Sequence, residues 1–303
     1  MLEDYWYPIG FTGLKVKEVN LLCREIIVWR VNDNYVAFQN RCPHRNAKLS
    51  MGKILDDRIK CPYHGWEFDS NGRLIYIPSY ESPGNVVLRK YNVKEKYGIV
   101  WISLNNRNDI PEFPEYYNPT FKKVRIGPFT FNANPFRVMD NLLDVSHFPF
   151  VHEGILADPK YTRVDNYEVI IEEEEIIAKG IRVYEPISES FVNYTFKVLS
   201  PLTLYYRKDY EDNKALSTYI SIFPESKDKS VVYGIMAFNH DMPEEKVLEL
   251  QNEIMEQEKA LLESLPNEFY LDEELHVVAD KLSLVYRDWL KKRVGRRSDL
   301  GLI

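Results

Sequence analysis

The sequence predicts an α+β protein in two parts, a small all-β module followed by a large antiparallel sheet closed by helices. Three observations predict it. Residues 5–104 are short β-branched and aromatic runs separated by turn signals. Residues 167–178, 190–198, 202–210, 216–223 and 231–238 are longer alternating runs suited to one sheet. The stretches 243–264 and 276–292 change to helical periodicity.

Within the module, residues 24–40 read as a hairpin around Asn32-Asp33-Asn34, and 67–79 as another around Asn71-Gly72. "YGIVWISL" (97–104) is a strand, and no apolar run reaches the length of a membrane span. Cys23 falls in an ordinary strand and reads as a small core residue. Residues 105–120 hold three prolines and little periodicity, so they read as a linker. The domains are therefore expected at 1–110 and 111–303. A short helical patch at 138–147 precedes the sheet, and "EEEE" (172–175) reads as the solvated face of a strand end.

Bulk properties exclude several classes. A hydrophobic share of 45% with 14% aromatic residues supplies a core and excludes disorder. Net charge is −7, with Lys and Arg scattered among acids, which argues against nucleic acid as a partner. "MLEDYWYPIG" lacks the basic start and apolar core of a signal peptide, and three cysteines make no disulfide framework. A cytoplasmic protein is expected.

Two constellations carry chemistry. Residues 41–46 read "RCPHRN" and 61–66 read "CPYHGW": C-x-H, sixteen residues, then C-x-x-H. A structural Cys₂His₂ zinc site is one reading. Zinc fingers, however, usually pair Cys with Cys and His with His, whereas each half here supplies one of each from a loop. That mixture suits a two-iron cluster with Cys₂ on one iron and His₂ on the other.

The second constellation joins "NLLDVSHFPFVH" (141–152) to the C-terminal helix. Asn141, Asp144 and His147 recur at i, i+3 and i+6, along one side of a helix. Pro149 is expected to stop that helix, with His152 on the turn beyond. On an unbroken helix the two histidines would point about 140° apart, so the break is what lets them converge. An acid one turn before His147 suits a metal-bound imidazole, which donates its other N–H to a carboxylate. His240 and His276 have no such company. In "NEIMEQEKALLESLP" (252–266), Val247, Ile254, Leu261 and Leu265 fall within roughly 60° of Leu250 on a wheel, and Met255 and Leu262 complete the apolar side. Glu249, Glu253, Glu256 and Glu263 point the other way, but Glu258 lands at about 80°, inside the stripe. Burying that carboxylate costs several kcal/mol unless a cation or metal receives it. A snorkelling side chain, or a core arginine, are the alternatives.

The first constellation, with "FDSNGRLIYIP" after it, resembles the Rieske [2Fe–2S] domain. Ala47 and Tyr63 stand where respiratory Rieske proteins carry disulfide cysteines, so the resemblance is to the oxygenase and ferredoxin type. Residues 141–152 resemble the N-x-x-D-x-x-H-x-x-x-x-H motif of Rieske non-haem iron oxygenases, the ring-hydroxylating α-subunit family, in its α-only branch. The likeness runs from "WYPIG" (6–10) to "LVYRDWL" (284–290). It implies Cys42 and Cys61 on one iron of a [2Fe–2S] cluster and His44 and His64 on the other. It implies a helix-grip catalytic domain in which His147 and His152 hold a mononuclear Fe(II). The family's third ligand is an aspartate on the long C-terminal helix, and "QEKALLE" (257–263) aligns Glu258 with it. Asn141 belongs to the motif, and Asp144 would bridge His64 of one chain to His147 of the next in a homotrimer.

The chain holds no G-x-G-x-x-G fingerprint. NAD(P)H is therefore expected to act only through a separate reductase, directly or through a ferredoxin. The resemblance implies the oxygenase component of a multicomponent system. It would use O₂ to hydroxylate or oxidatively demethylate an apolar, aromatic or polycyclic substrate. The alternative is a Rieske electron carrier fused to a ligand-binding domain without iron chemistry.

Overall fold

The structure is a computed structural model and describes residues 1–80, 84–269 and 274–294. The chain divides into two compact units, Glu3–Ile110 and Pro111–Ile303 joined by Met1–Leu2.

In the first unit the strands are β1 (Tyr7–Phe11), β2 (Val16–Leu21), β3 (Arg24–Val31), β4 (Asn34–Gln39) and β5 (Lys53–Leu55). They continue as β6 (Arg58–Lys60), β7 (Glu67–Asp69), β8 (Leu74–Tyr76), β9 (Lys90–Lys96) and β10 (Ile99–Ser103). Six of them form one sheet in the order β1-β10-β9-β4-β3-β2, and β5-β6-β7-β8 form a second of four. Between them Trp29, Phe38, Leu49, Ile59 and Phe68 pack with Cys42 and Cys61 in one buried cluster. The chain leaves β4 into residues 40–48 and links β6 to β7 through 61–66, so both motif loops border this core. Cys23 is not a core residue. It is exposed, and Leu22 and Cys23 take φ of 48° and 61° as the two-residue turn between β2 and β3. Neither is a usual residue for such a turn, so the sequence carries no signal for it.

Residues 105–120 are not a free linker. Trp6 donates to the Asn108 carbonyl at 2.7 Å and Lys96 to that of Ile110 at 3.1 Å, which ties the first half to the β-unit. In the second half Phe113 is fully buried, stacked on Tyr219, and Glu115 accepts from Tyr205 and Arg207, each at 2.8 Å.

The second unit carries β11 (Lys122–Phe131), β12 (Glu168–Glu172), β13 (Glu175–Glu185), β14 (Ser190–Ser200), β15 (Thr203–Asp209), β16 (Ala215–Ser226) and β17 (Lys229–Phe238). They form one antiparallel sheet in the order β11-β17-β16-β15-β14-β13-β12. The helices are α1 (Pro135–Leu142), α2 (Phe148–Val151), α3 (Glu244–Leu262) and α4 (Lys281–Val294). Strand β11 is not foreshadowed by the alternating runs, because its register shifts between Ile126 and Phe129, where Gly127-Pro128 interrupts the ladder. The run 167–178 is two strands: Glu173 (φ 53°) turns the chain between β12 and β13, so the acidic tract makes a hairpin tip.

Topology positions the site. Strands β12 to β17 pair in sequence order, while β11 lies beside β17 at the far edge. Residues 132–167 must therefore cross the sheet from one edge to the other, and this crossing segment carries both histidines. Helix α1 meets β16, β17 and α3, and α3 packs along β11, with Val247 against Val124, Ile126, Leu216, Met236 and Phe238.

Candidate metal centres

The two motif loops of the first unit repeat one backbone pattern. Cys42 N–H donates to the Ala47 carbonyl at 2.9 Å, and Asn46 N–H to that of Cys42 at 2.9 Å. Cys61 N–H donates to Trp66 at 2.8 Å, and Gly65 N–H to Cys61 at 3.2 Å. Each ring closes with a positive φ at its fifth residue, 57° at Asn46 and 69° at Gly65. A Cβ at Gly65 would also meet the Pro78 ring at 3.1 Å.

The loops bring Cys42 and Cys61 together, thiol against thiol, in the core. They bring His44 and His64 together at the surface, rings 4.5 Å apart, with His44 stacked on Trp66 at 4.6 Å. Burial first, with Cys61 adding to it, pushes the Cys42 thiol up to about 11 against the downward pull of the backbone N–H groups of His44 and Arg45. Two buried sulfurs ionise only beside a positive group. Two soft donors inside and two imidazoles outside fit a two-iron cluster with a distinct ligand pair on each iron.

In the second unit, Asn134 caps α1 by accepting from Phe136 N–H at 2.9 Å. That helix ends at Leu142, which corrects one expectation: Asn141, Asp144 and His147 do not share a continuous helical face. Asp144 instead folds its carboxylate onto Ser146 N–H (2.7 Å), an Asx turn that competes with helix, and places its other oxygen 3.2 Å from His147 Nδ1. Pro149 starts α2 rather than stopping a helix, and the histidines sit at its two ends, His147 before it and His152 after it. The side-chain Oδ1 of Asn141 is buried without a hydrogen-bond partner among the described residues, and its link to Asp144 is through the backbone.

On α3 the buried residues are Val247, Gln251, Met255, Glu258 and Leu262, so Glu258 lies within the buried face. His147 Nε2 and His152 Nε2 both approach Glu258 Oε1, at 3.1 and 2.9 Å, and the three ligand atoms lie within 4.8 Å of one another. His152 Nδ1 bonds Gln257 Oε1 at 2.8 Å. Each imidazole is thus held between two acceptors, Asp144 and Glu258 for one, Gln257 and Glu258 for the other. A neutral imidazole has one N–H and satisfies only one of them. A divalent cation held by the two Nε2 atoms and the carboxylate would resolve both conflicts at once, and would offer a partner to Glu258 Oε2, which is buried and has no hydrogen-bond partner among the described residues. Without it the charges settle by protonation. Burial lowers the pKa of His147, but Asp144 and Glu258 outweigh it and raise it to about 9. Burial likewise opposes ionisation of Glu258, yet the two histidines bring it down to about 2.

A pocket opens beside Glu258. Its walls are mostly apolar, among them Leu142, Phe148, Ile254 and Met255, with Gln251, Lys208 and Glu185 as polar exceptions. The sequence reading missed Gln257, Lys208 and Glu185. Lys208 had a signal for its inward position, though not for its role: in the alternating run 202–210 it shares the parity of Leu202, Leu204 and Tyr206.

Both parts of the chain match known protein families. Residues 10–94 match the Rieske [2Fe-2S] domain, and residues 131–296 match the vanillate O-demethylase oxygenase C-terminal domain. The methylxanthine N1-demethylase NdmA of Pseudomonas putida is 25% identical over 316 residues, covering 96% of this chain and 89% of that protein. The solved structure of Pseudomonas putida CBB5 NdmA with caffeine superposes with a TM-score of 0.84 at 26% identity, covering 96% of this chain and 90% of that one. Dicamba monooxygenase bound to dicamba has a TM-score of 0.81 at 20% identity, covering 96% and 97%, a likeness of fold. No helix among the described residues is long and apolar enough to cross a membrane.

Proposed function

The chain belongs to the Rieske oxygenases that end in a vanillate O-demethylase-type oxygenase domain, and from that premise we propose how its residues divide the work. It is a Rieske-type oxygenase, the oxygenase component of a multicomponent system. Residues 1–110 form the cluster domain and 111–303 the catalytic domain. Cys42 and Cys61 would hold one iron of a [2Fe–2S] cluster, and His44 and His64 the other. His147, His152 and Glu258 hold a mononuclear Fe(II). A cluster held there would supply one-electron transfer, and an iron held by His147, His152 and Glu258 would supply the chemistry of O₂ activation.

The rest is done by the chain. Asp144 keeps the proton on His147 Nδ1, which leaves Nε2 as a lone-pair donor. Gln257 does the same for His152. The apolar walls keep water from the reacting end of the cavity. The Asp144 side chain keeps 30% of its surface exposed, which supports a second role as the link to His64 of a neighbouring copy in a homotrimer. Electrons come from NAD(P)H through a separate reductase, directly or through a ferredoxin, and the protein works in the cytoplasm.

The mostly apolar lining supports an aromatic or polycyclic substrate, the sort of molecule that the name methylxanthine demethylase carries, and the reaction we assign is its hydroxylation or oxidative demethylation. The electron-carrier alternative leaves the buried His147–His152–Glu258 set and the cavity beside it without a use.

One observation carries this reading: two imidazoles and a carboxylate, His152 and Glu258 buried and His147 nearly so, each short of a proton or partner, converge beside an apolar pocket. The test is metal analysis with substrate-dependent O₂ uptake, using a surrogate reductase and a panel of methoxy-, N-methyl- and steroid compounds. About three irons and two acid-labile sulfides per chain are expected. A zinc-only protein after iron-replete expression contradicts the reading.

A further inference from the structure

Strands β14 and β15 place Tyr194 directly opposite Lys208, both pointing inward, with 2% and 7% of their surface exposed. Lys208 Nζ donates to Glu185 Oε1 at 2.7 Å and lies 5.2 Å from the Tyr194 ring centre. Tyr210 O–H reaches the same Glu185 oxygen at 3.4 Å. The Tyr194 hydroxyl is buried beside the Lys208 ammonium, and its own proton has no acceptor among the described residues. All four residues line the cavity that Glu258 borders. Phe148 separates the two ends, its ring 5.8 Å from His152 and 6.2 Å from Tyr194.

The cluster is therefore rich in donors and short of acceptors. An ammonium carries three N–H groups, and Lys208 makes one hydrogen bond among the described residues. A buried hydroxyl left unpaired costs about 1–3 kcal/mol, which a ligand acceptor recovers. Charge narrows the ligand. Lys208 and Glu185 already neutralise each other, so a carboxylate arriving there would bring a buried negative charge with no counter-ion. A neutral oxygen acceptor has no such penalty.

We propose that Lys208 and Tyr194 anchor a neutral carbonyl oxygen of the substrate, which makes the substrate a carbonyl-bearing aromatic such as a lactam, imide or ring ketone. Held there, the molecule lies along Phe148 with its far end toward His147, His152 and Glu258. The inference rests on the oxygenase reading above and adds a substrate class to it.

The test is calorimetric binding to the iron-loaded enzyme of matched probes: N-methyl-2-quinolone against 1-methylnaphthalene, N-methylphthalimide against 2-methylindane, and 2-naphthoate as the carboxylate. The carbonyl members should bind about tenfold tighter than their hydrocarbon partners and than naphthoate. Tyr194→Phe should cut that preference by about threefold or more while its melting temperature stays close to wild type, since the hydroxyl proton has no acceptor among the described residues. The double variant Glu185→Gln/Lys208→Met, which removes the charges as a pair, should abolish the preference. The proposal is overturned if hydrocarbons or naphthoate bind as well, if no carbonyl probe binds, or if both variants keep the preference. Iron content is measured on the same preparations. A full iron complement with no carbonyl preference sinks the anchor alone, whereas missing mononuclear iron sinks the oxygenase assignment.

Discussion

In the N-terminal centre the sulfurs are buried and the imidazoles face solvent, whereas in the C-terminal centre both imidazoles and the carboxylate are enclosed. The first set comes from two loops that each close their own backbone ring. The second joins residues 106 and 111 positions apart and is held by side chains, with Glu258 drawing in both histidines. One centre is shaped by local backbone geometry and the other by charge. They should therefore fail independently, and only the second should respond strongly to pH and to the loss of hydrogen-bond partners.

The largest expected effect separates the two outright. Cys61→Ala should abolish the cluster's visible absorption and its reduced-state EPR signal, while about one iron per chain stays at the other centre. Loss of both irons together would show that the centres are not independent.

Asp144→Asn should keep both centres loaded and still lower turnover by about 10- to 100-fold, because an amide lacks the charge that holds His147 in one tautomer. Single turnover from a prereduced cluster is the measurement. Cluster oxidation as fast as wild type would remove Asp144 from the electron route. Gln257→Leu should be milder, loosening the iron about tenfold by equilibrium dialysis and leaving the cluster spectrum untouched.

The smallest effect concerns pH. The pKa of His147 is raised from 6.5 to about 9 in the metal-free protein, chiefly by Asp144 and Glu258 against the effect of burial. A raised pKa stabilises the fold fully below the unfolded value, and that contribution is lost as pH climbs through about 9. The melting temperature of the metal-free protein should thus fall by a few degrees between about pH 6.5 and 9.5 beyond the change seen in a His147→Gln variant. The same proton competes with metal, so iron affinity should rise over that window. An iron affinity flat in pH would break the proposed contrast.

That contrast also explains how much was legible beforehand. The Cys42–His44 and Cys61–His64 pairs could be read because each lies in one loop, where spacing in sequence is close to spacing in space. Glu258 could be read because a carboxylate inside an apolar helical stripe violates a periodicity. Gln257 and the Lys208–Glu185 pair could not be assigned, since their roles depend on partners in distant segments and on strand register. The end of α1 was misplaced for a local reason: Asp144 spends its carboxylate on Ser146 N–H, and periodicity does not register an Asx turn. Cys23 was misplaced because Leu22-Cys23 makes a tight turn without turn-forming residues.

The central claim is that Glu258 is buried because an iron at His147 and His152 receives its charge. The most direct measurement is iron and acid-labile sulfide per chain in Glu258→Ala beside Glu256→Ala, which removes an exposed neighbour on the same helix. The account predicts that Glu258→Ala falls from about three irons to about two with sulfide unchanged at about two, and that Glu256→Ala keeps all three. Three irons in Glu258→Ala, or a loss confined to Glu256→Ala, would contradict it.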